Sequence, residues 1–511
     1  RSLIFSRNSA DYVYAYMAIV SLGAIAVPIN FQLSSREIAY IIKDSGSRHI
    51  LTYQPLNLVD ALSTLRCDMR VTQHDIRQMG KKDESLPAAP TLPPTFDEQN
   101  PCVIIYTSGT TGSPKGAVLS HRNLITNADQ MSIMGCKAEH HVLCVLPMYH
   151  CFGWTCSVLY PLYCGAEVVI LDSFTPKETI SVIREEKIND LYIVPSICSL
   201  LTKLASKEDM ASLRLVVSGG TTLPLQIEQD FMNKFGVDIC EGYGLSETSP
   251  VVTMNPPEKP KVGSCGPVVP GIAWKLIDAD GKEVPKGEAG EFIVKGDNIM
   301  LGYWNLPDAT KNALRGGWLH TGDLARRLPD GNYQITGRIK DMIIRGGENI
   351  YPKEIEDFLY TNPKVKDVQV IGVPDEQYGE EIMACVVLKE GETSSEEELK
   401  DFVRTHMAKH KVPRYIDFVD DFPMNAAGKI LKYKMREDAV KKLQLRQKTA
   451  FEASNAGAPA DFGVNAAVST IRDKYGFVLP VEMRPDFREE VKRASEALGR
   501  PDEPRGAVRA L

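Results

Sequence analysis

Residues 106–124 read "YTSGTTGSPKGAVLSHRNL", a stretch that concentrates hydroxyls, glycines and a single lysine in the way a phosphate-holding segment does. Glycines such as Gly109 and Gly112 let backbone N–H groups approach phosphate oxygens closely, and Thr107, Ser108, Thr110 and Thr111 add hydroxyl donors. The common nucleoside-triphosphate loop, G-x-x-x-x-G-K-[ST], places its lysine directly after the last glycine. Here Lys115 comes three residues after Gly112 and precedes Gly116, so this loop is of another kind. Lys115 is suited to neutralising outer phosphates. An ordinary Ser/Thr/Gly surface loop is the bland alternative, and the full string T-S-G-T-T-G-x-P-K-G after an apolar run is too specific for it.

Four more stretches carry chemistry. In "EGYGLSET" (241–248), Tyr243 offers an aromatic face for a base, Ser246 a hydroxyl, and Glu247 a hard oxygen ligand for Mg²⁺. "GWLHTGDLA" (317–325) sets Asp323 after a glycine, suited to paired bonds with ribose hydroxyls. "GRIKDMIIRGGENIYPKEIE" (337–356) adds Arg338 as a second ribose donor, and the glycine pair Gly346 and Gly347. "FPMNAAGKILK" (422–432) ends the series with Lys429. Taken singly, Asp323 and Lys429 read as solvated surface residues.

These stretches need a scaffold, and the pattern of the chain supplies one. Strand-like runs at 102–108, 141–148, 166–172, 190–196 and 213–220 alternate with amphipathic segments such as "TPKETISVIREEKI" (175–188). That alternation predicts α/β layers with ligands in loops at the carboxyl ends of strands. Residues 262–337 change to short strands and turns, with Asp-Gly pairs at 280–281 and 330–331 as hairpin signals. Residues 341–440 read as a second, small α+β domain, joined to the large 1–337 domain by a hinge at 338–340. Residues 441–511 read as linker and tail, with one capped helix in "RPDFREEVKRASEALG" and no assignable role.

The totals narrow the partners. The chain has 511 residues, with 59 basic and 66 acidic side chains and net charge −7. Such a surface has no general attraction to nucleic acid or anionic lipid. Eleven scattered cysteines argue for reduced thiols and a cytoplasmic location. Cys151 and Cys156 flank the region of His150, but no C-x-x-C pair accompanies them, so buried free thiols are the better reading than zinc. The apolar run 12–31 is long enough to span a membrane, yet Gly23 and Pro28 break it, which favours a buried helix–turn–strand. The chain opens at Arg1 with neither methionine nor signal-peptide pattern, which reads as a fragment.

Together and in this order, the five stretches resemble the acyl-adenylate-forming superfamily of acyl-CoA synthetases, peptide-synthetase adenylation domains and luciferases. Within it the chain most resembles bacterial-type medium- or long-chain fatty acyl-CoA synthetases, over about residues 1–440. The resemblance implies that ATP and a carboxylic acid give acyl-AMP and pyrophosphate, after which the small domain rotates and the CoA thiol takes the acyl group. It implies a phosphate site at residues 107–115, and an adenine pocket of Gly219, Gly220, Thr221, Glu241, Gly242 and Tyr243. Thr107 and Glu247 match Mg²⁺ positions, and Asp323 and Arg338 match ribose contacts. Lys340 matches the hinge, Gly346 and Gly347 the passage of the pantetheine arm, and His150 an aromatic gate to the acyl pocket. Gly244 borders both the nucleotide and the acyl group. Lys429 matches the lysine that reaches the reacting carboxylate and the α-phosphate, with Lys115, Ser246 and Glu247 completing the catalytic set.

The chain departs from the pattern in three places. Members carry several dozen residues ahead of "RSLIFSRNSADY", Ser246 stands where threonine is usual, and the tail after 450 has no counterpart. A carrier-protein acceptor, an aryl acid and a non-catalytic nucleotide-binding regulator are the alternatives, and a homodimer stays open. The presence of Lys115, Glu247 and Lys429 speaks against the regulator.

Overall fold

The computed structural model describes residues 1–81, 96–107, 114–346, 348–375, 377–424 and 430–455, with side chains to residue 444. Four sheets organise them, each built where apolar, β-branched runs alternate with capped helices.

The first sheet orders its strands Gly302–Tyr303, Lys115–Ser120, Pro101–Thr107, Ala26–Pro28, Ser2–Phe5, His49–Thr52 and Thr72–Asp75. The last five run parallel, and the first two are antiparallel additions at one edge. The apolar run 12–31 forms the helix Ala10–Ser21, a turn at Gly23 with φ of 68°, and the buried strand Ala26–Pro28. No helix among the described residues is long and apolar enough to cross a membrane.

The second sheet has the order Val251–Met254, Ile239–Gly244, Leu215–Ser218, Asp190–Ile193, His141–Cys144 and Glu167–Ile170. All of its strands are parallel except the first, which turns back antiparallel along the edge. The run at 141–148 yields a strand only to Cys144, because Pro147 has no N–H to give a ladder. The helix Pro176–Glu185 follows as expected, with proline in its first turn.

The third sheet is antiparallel, Ala273–Ile277, Ala289–Lys295, Leu319–Arg327 and Tyr333–Arg338. Both Asp-Gly pairs lie in its connections, with Gly281 at φ 79° and Gly331 at φ 92°. The fourth sheet gathers Glu348–Ile350, Ile343–Arg345, Gly379–Leu388 and Val365–Asp375, with Tyr415–Phe418 added in parallel. Its own core includes Ile355, Leu359, Val386, Leu399 and Val403, contributed by the helices Pro352–Leu359 and Glu396–Arg404 as well as by strands. The final helix, Lys432–Asn455, packs Met435 and Ala439 under this sheet and continues into the segment expected to begin the tail. The helix expected at 484–499 lies outside the described residues.

Candidate active site

Three of the segments expected to line the site meet at the carboxyl edge of the second sheet. Gly219 to Thr221 follow the strand Leu215–Ser218, and Glu241 to Gly244 end the strand Ile239–Gly244. His150 lies in the connection that leaves the strand His141–Cys144. Two glycines here are closely approached, Gly244 by backbone and Gly219 by an aromatic ring. A Cβ on Gly244 would lie 1.9 Å from the Pro250 carbonyl oxygen, and one on Gly219 would lie 3.2 Å from the Phe152 ring. Phe152 thus ties the acyl-side segment to the loop after the neighbouring strand.

The phosphate-type loop is positioned differently. Thr107 and Lys115 are cross-strand partners, so residues 108–114 connect an antiparallel pair rather than a strand and a helix. The Thr107 hydroxyl donates to the Lys115 carbonyl at 3.3 Å. The helix His121–Gln130 begins only after the second strand, with Ser120 and Asn123 forming a reciprocal cap. Ser108, Gly109, Thr110, Thr111 and Gly112 lie outside the described residues, as do Gly347 and Lys429.

Lys115 and Glu247 share one neighbour. The ammonium of Lys115 stands 5.3 Å from the centre of the Tyr303 ring, and the Tyr303 hydroxyl donates to Glu247 Oε1 at 2.8 Å. Tyr303 therefore spaces a cation from an anion, supporting one through its π face and the other through its hydroxyl. Sequence reasoning passed over it, although "LGYWN" (301–305) is an aromatic pair in a turn-like setting. Glu247 keeps a second carboxylate oxygen. Its carboxylate and the Thr107 hydroxyl are both hard oxygen donors, the type that Mg²⁺ takes.

The ribose-type corner is closely knit. Asp323 and Arg338 face each other across adjacent strands, with Arg338 Nε 3.1 Å from Asp323 Oδ1. The Tyr243 hydroxyl donates to Asp323 Oδ2 at 2.7 Å, and burial pushes that phenol well above its ordinary pKa. Glu291, which the motifs did not reveal, fastens the loop. Its carboxylate accepts the Gly322 N–H at 3.2 Å and lies 3.0 Å from His320 Nδ1.

Glu241 is buried and accepts the Leu223 N–H at 3.0 Å. Burial raises its carboxyl pKa to about 8. A cavity of about 30 Å³, the size of one water, lies against it and is also lined by Gln334, Lys353 and Asp357. Lys353 and Asp357 pair at 2.9 Å on the helix Pro352–Leu359, so the fourth-sheet unit touches the floor of the adenine-type motif.

On the acyl side, His150 Nδ1 accepts the Phe152 N–H at 3.2 Å, and the Cys151 sulfur lies 3.4 Å from Ser246 Oγ. Cys151 thereby links the "PMYHCFG" and "GLSET" segments. It and Cys156 are buried free thiols, as the sequence indicated. The following Phe152–Leu159 is a π-helix with residues Phe152 to Val158 buried, a wide winding that apolar periodicity does not signal. Lys340 sits in a short turn, Ile339–Asp341, between the third and fourth sheets. Gly346 takes φ of 60° in the hairpin that joins Ile343–Arg345 to Glu348–Ile350.

Comparison with known proteins agrees with this geometry. The AMP-binding enzyme family matches residues 1–304, and the AMP-binding enzyme C-terminal domain matches residues 354–429. The chain belongs to the AMP-binding enzyme family. It is an AMP-forming acid–thiol ligase that uses ATP, Mg²⁺ and CoA. It is similar to the feruloyl-CoA synthase of Amycolatopsis sp., at 35% identity over 84% of this chain and 87% of that protein. It is also similar to the mitochondrial medium-chain acyl-CoA ligase ACSF2 of Mus musculus, at 34% identity over 86% of this chain and 78% of that protein. Among solved structures, ATP-bound MatB from Rhodopseudomonas palustris superposes with a TM-score of 0.80. The identity is 30%, over 86% of this chain and 88% of that one.

Proposed function

We propose that the acid activated by this ligase is a medium- or long-chain fatty acid, in a reducing, cytoplasm-like compartment. One observation carries the substrate reading. The segment 147–166 behind His150 contains no lysine or arginine, and its π-helix is buried, uncharged and mostly apolar, with Thr155 and Ser157 as its hydroxyls. Such a wall suits a carboxylate with an uncharged, greasy tail and offers nothing to a second carboxylate. All eleven cysteines are free, which supports the reducing setting.

In this reading Thr107 and Glu247 hold Mg²⁺, which supplies charge neutralisation along the phosphates. Lys115, with the loop it closes, receives the outer phosphates. Asp323 and Arg338 exchange part of their mutual pairing for the ribose hydroxyls, and Tyr243 presents its ring to the base beside Gly219, Gly220 and Thr221. His150 and Ser246, linked through Cys151, border the place where carboxylate meets α-phosphate. All reacting groups are anions, so positioning and cationic stabilisation dominate, and no side-chain nucleophile is required. Lys429 supplies the cation at the reacting oxygen, and rotation about Lys340 then brings Gly346 and Gly347 to the pantetheine arm.

The deciding experiment follows AMP and thioester formation across a panel of saturated fatty acids, hydroxycinnamic acids and benzoates with CoA. Highest kcat/KM for fatty acids of medium or greater length is the expected result. A preference for an aromatic acid would replace the substrate reading while leaving the ligase itself in place.

A further inference from the structure

The amino edge of the second sheet, opposite the edge that carries the motifs, holds a separate cluster. Cys136 and His140 lie just before the strand His141–Cys144, Asp190 opens the strand Asp190–Ile193, and Cys164 ends the helix Tyr160–Tyr163. Donor atoms of Cys136, His140 and Asp190 all lie within 4.8 Å of one another. Cys164 stands beside this group, close to Cys136 and to the Tyr160 hydroxyl, but outside the three donors that lie within 4.8 Å of one another.

A second observation points into the same space. Tyr192 is completely buried, and among the described residues its hydroxyl has no hydrogen-bond partner, while Asp190, Tyr160 and Cys136 lie near it. A buried hydroxyl normally finds a partner, so this polar spot is incompletely satisfied as it stands. Asp190 is fully buried and held by Arg214 through contacts of 2.7 and 3.1 Å. Cys136, His140 and Cys164 are partly exposed, which gives an ion a way in.

The structure assigns a zinc-type site to the Cys136, His140 and Asp190 cluster, with Cys164 drawn in from beside it as the fourth ligand. Two sulfurs, an imidazole and one carboxylate form a borderline-soft, four-donor set of the kind that selects Zn²⁺ over Mg²⁺. Charge balances in both states. Without metal, Asp190 cancels Arg214 and both thiols are neutral. With Zn²⁺ bound, two thiolates and one carboxylate cancel the ion and Arg214, and two protons leave to solvent. Zinc bonds of about 2.0–2.3 Å require the three clustered donors to draw together by roughly 1 Å, and Cys164 to move further. The three outer ligands sit on turns at element ends, where such a shift is easy. Coordination at His140 Nδ1 replaces a long 3.2 Å bond from the Lys137 N–H, which lies at the surface and turns to water. Burial raises the Cys136 thiol to about 12 and raises Cys164 as well, so both are poor nucleophiles without a metal.

The test uses the full, reduced chain after chelator treatment. Zinc titration should leave one equivalent bound after desalting and release two protons per ion. Cobalt in place of zinc should show a thiolate-to-metal absorption band. Cys136→Ser and Cys164→Ser should each abolish the retained equivalent, and Cys67→Ser, a thiol elsewhere, should keep it. Zinc retention unchanged in both site variants would overturn the assignment. So would a folded wild-type chain, judged by thermal unfolding, that retains no zinc, or a resting Cys136–Cys164 disulfide.

Discussion

Asp323 and Glu247 are both acids in motifs that we propose face one nucleotide, yet the fold treats them oppositely. Asp323 is 3% exposed and already holds an arginine and a tyrosine hydroxyl. Glu247 is half-exposed and takes one hydroxyl, from Tyr303, whose ring keeps Lys115 at a distance. The first corner is neutralised before any ligand arrives, so binding there exchanges contacts. The second keeps cation and anion apart on two sides of one aromatic ring, so its charges remain available to phosphate and metal. Preorganisation thus takes two forms in one site: a rigid frame for the sugar, and separated charge where the reaction develops it.

The largest effect that separates the two corners is expected from Glu247→Gln. It should lower carboxylate-dependent pyrophosphate exchange on the order of 10²–10³-fold, about 3–4 kcal/mol, with the thermal midpoint near the parent's. Loss of folding together with activity would place Glu247 in the frame instead.

A third acid, Glu241, sharpens the contrast because it is buried with a backbone donor and, among the described residues, no ion-pair partner. Its folded-state pKa of about 8 lies above the ordinary 4.5, with Lys353, Glu228 and Asp357 as the charged groups around it. The protonated form is therefore favoured by folding. Its stabilising contribution is full below pH 4.5 and is lost as pH rises through 8. Glu241→Gln should match the parent in unfolding free energy near pH 4.5. It should then gain up to about 1.4 kcal/mol per unit, reaching roughly 3 kcal/mol by pH 7. Denaturant titrations at several pH values give the answer, and a constant difference would remove the buried-acid reading.

Asp323→Ala comes next. It strands the Tyr243 hydroxyl and uncouples Arg338, so unfolding free energy should fall by about 1–3 kcal/mol, and KM for ATP should rise. If stability is untouched, the ribose corner is not the frame described here. The smallest effect belongs to Tyr303→Phe, which keeps the face under Lys115 but drops the hydroxyl on Glu247. One ordinary hydrogen bond corresponds to about 1 kcal/mol, or roughly fivefold in pyrophosphate exchange. The spacer role would be untenable if this variant lost as much as Glu247→Gln.

These residues also show where the sequence was readable. Asp323 and Arg338 stood out because their roles depend on short motifs, and the strand pairing that unites them is a hairpin with a visible Asp-Gly turn. Gly219 to Thr221 and Glu241 to Gly244 were legible for a similar reason: apolar strands ending in glycine-rich loops place them at one sheet edge. Tyr303 was not, because its position depends on pairing with Ala117 across a wide gap in sequence, which no local pattern encodes. Glu291 was missed because a strand glutamate between apolar residues looks like an ordinary outward-facing charge. The π-helix at Phe152–Leu159 escaped because a mostly apolar run, with Thr155 and Ser157 two residues apart, carries no helical periodicity to read.

The short strand Gly302–Tyr303 has one more consequence, for modularity. It lies in sequence between strands of the third sheet, yet it pairs with Lys115–Ser120 at the edge of the first. Trp304 and Asn305 then anchor to the Asp44 carbonyl, each at 3.0 Å. The chain is stitched through an earlier sheet before it returns to complete a later one. Exchange of the third-sheet segment between relatives as a cassette would therefore carry a foreign edge strand into the first sheet, beneath Lys115. Crossover points that respect this stitch fall after residue 338, where the fourth sheet starts its own core, and not at the change of sequence texture near 262.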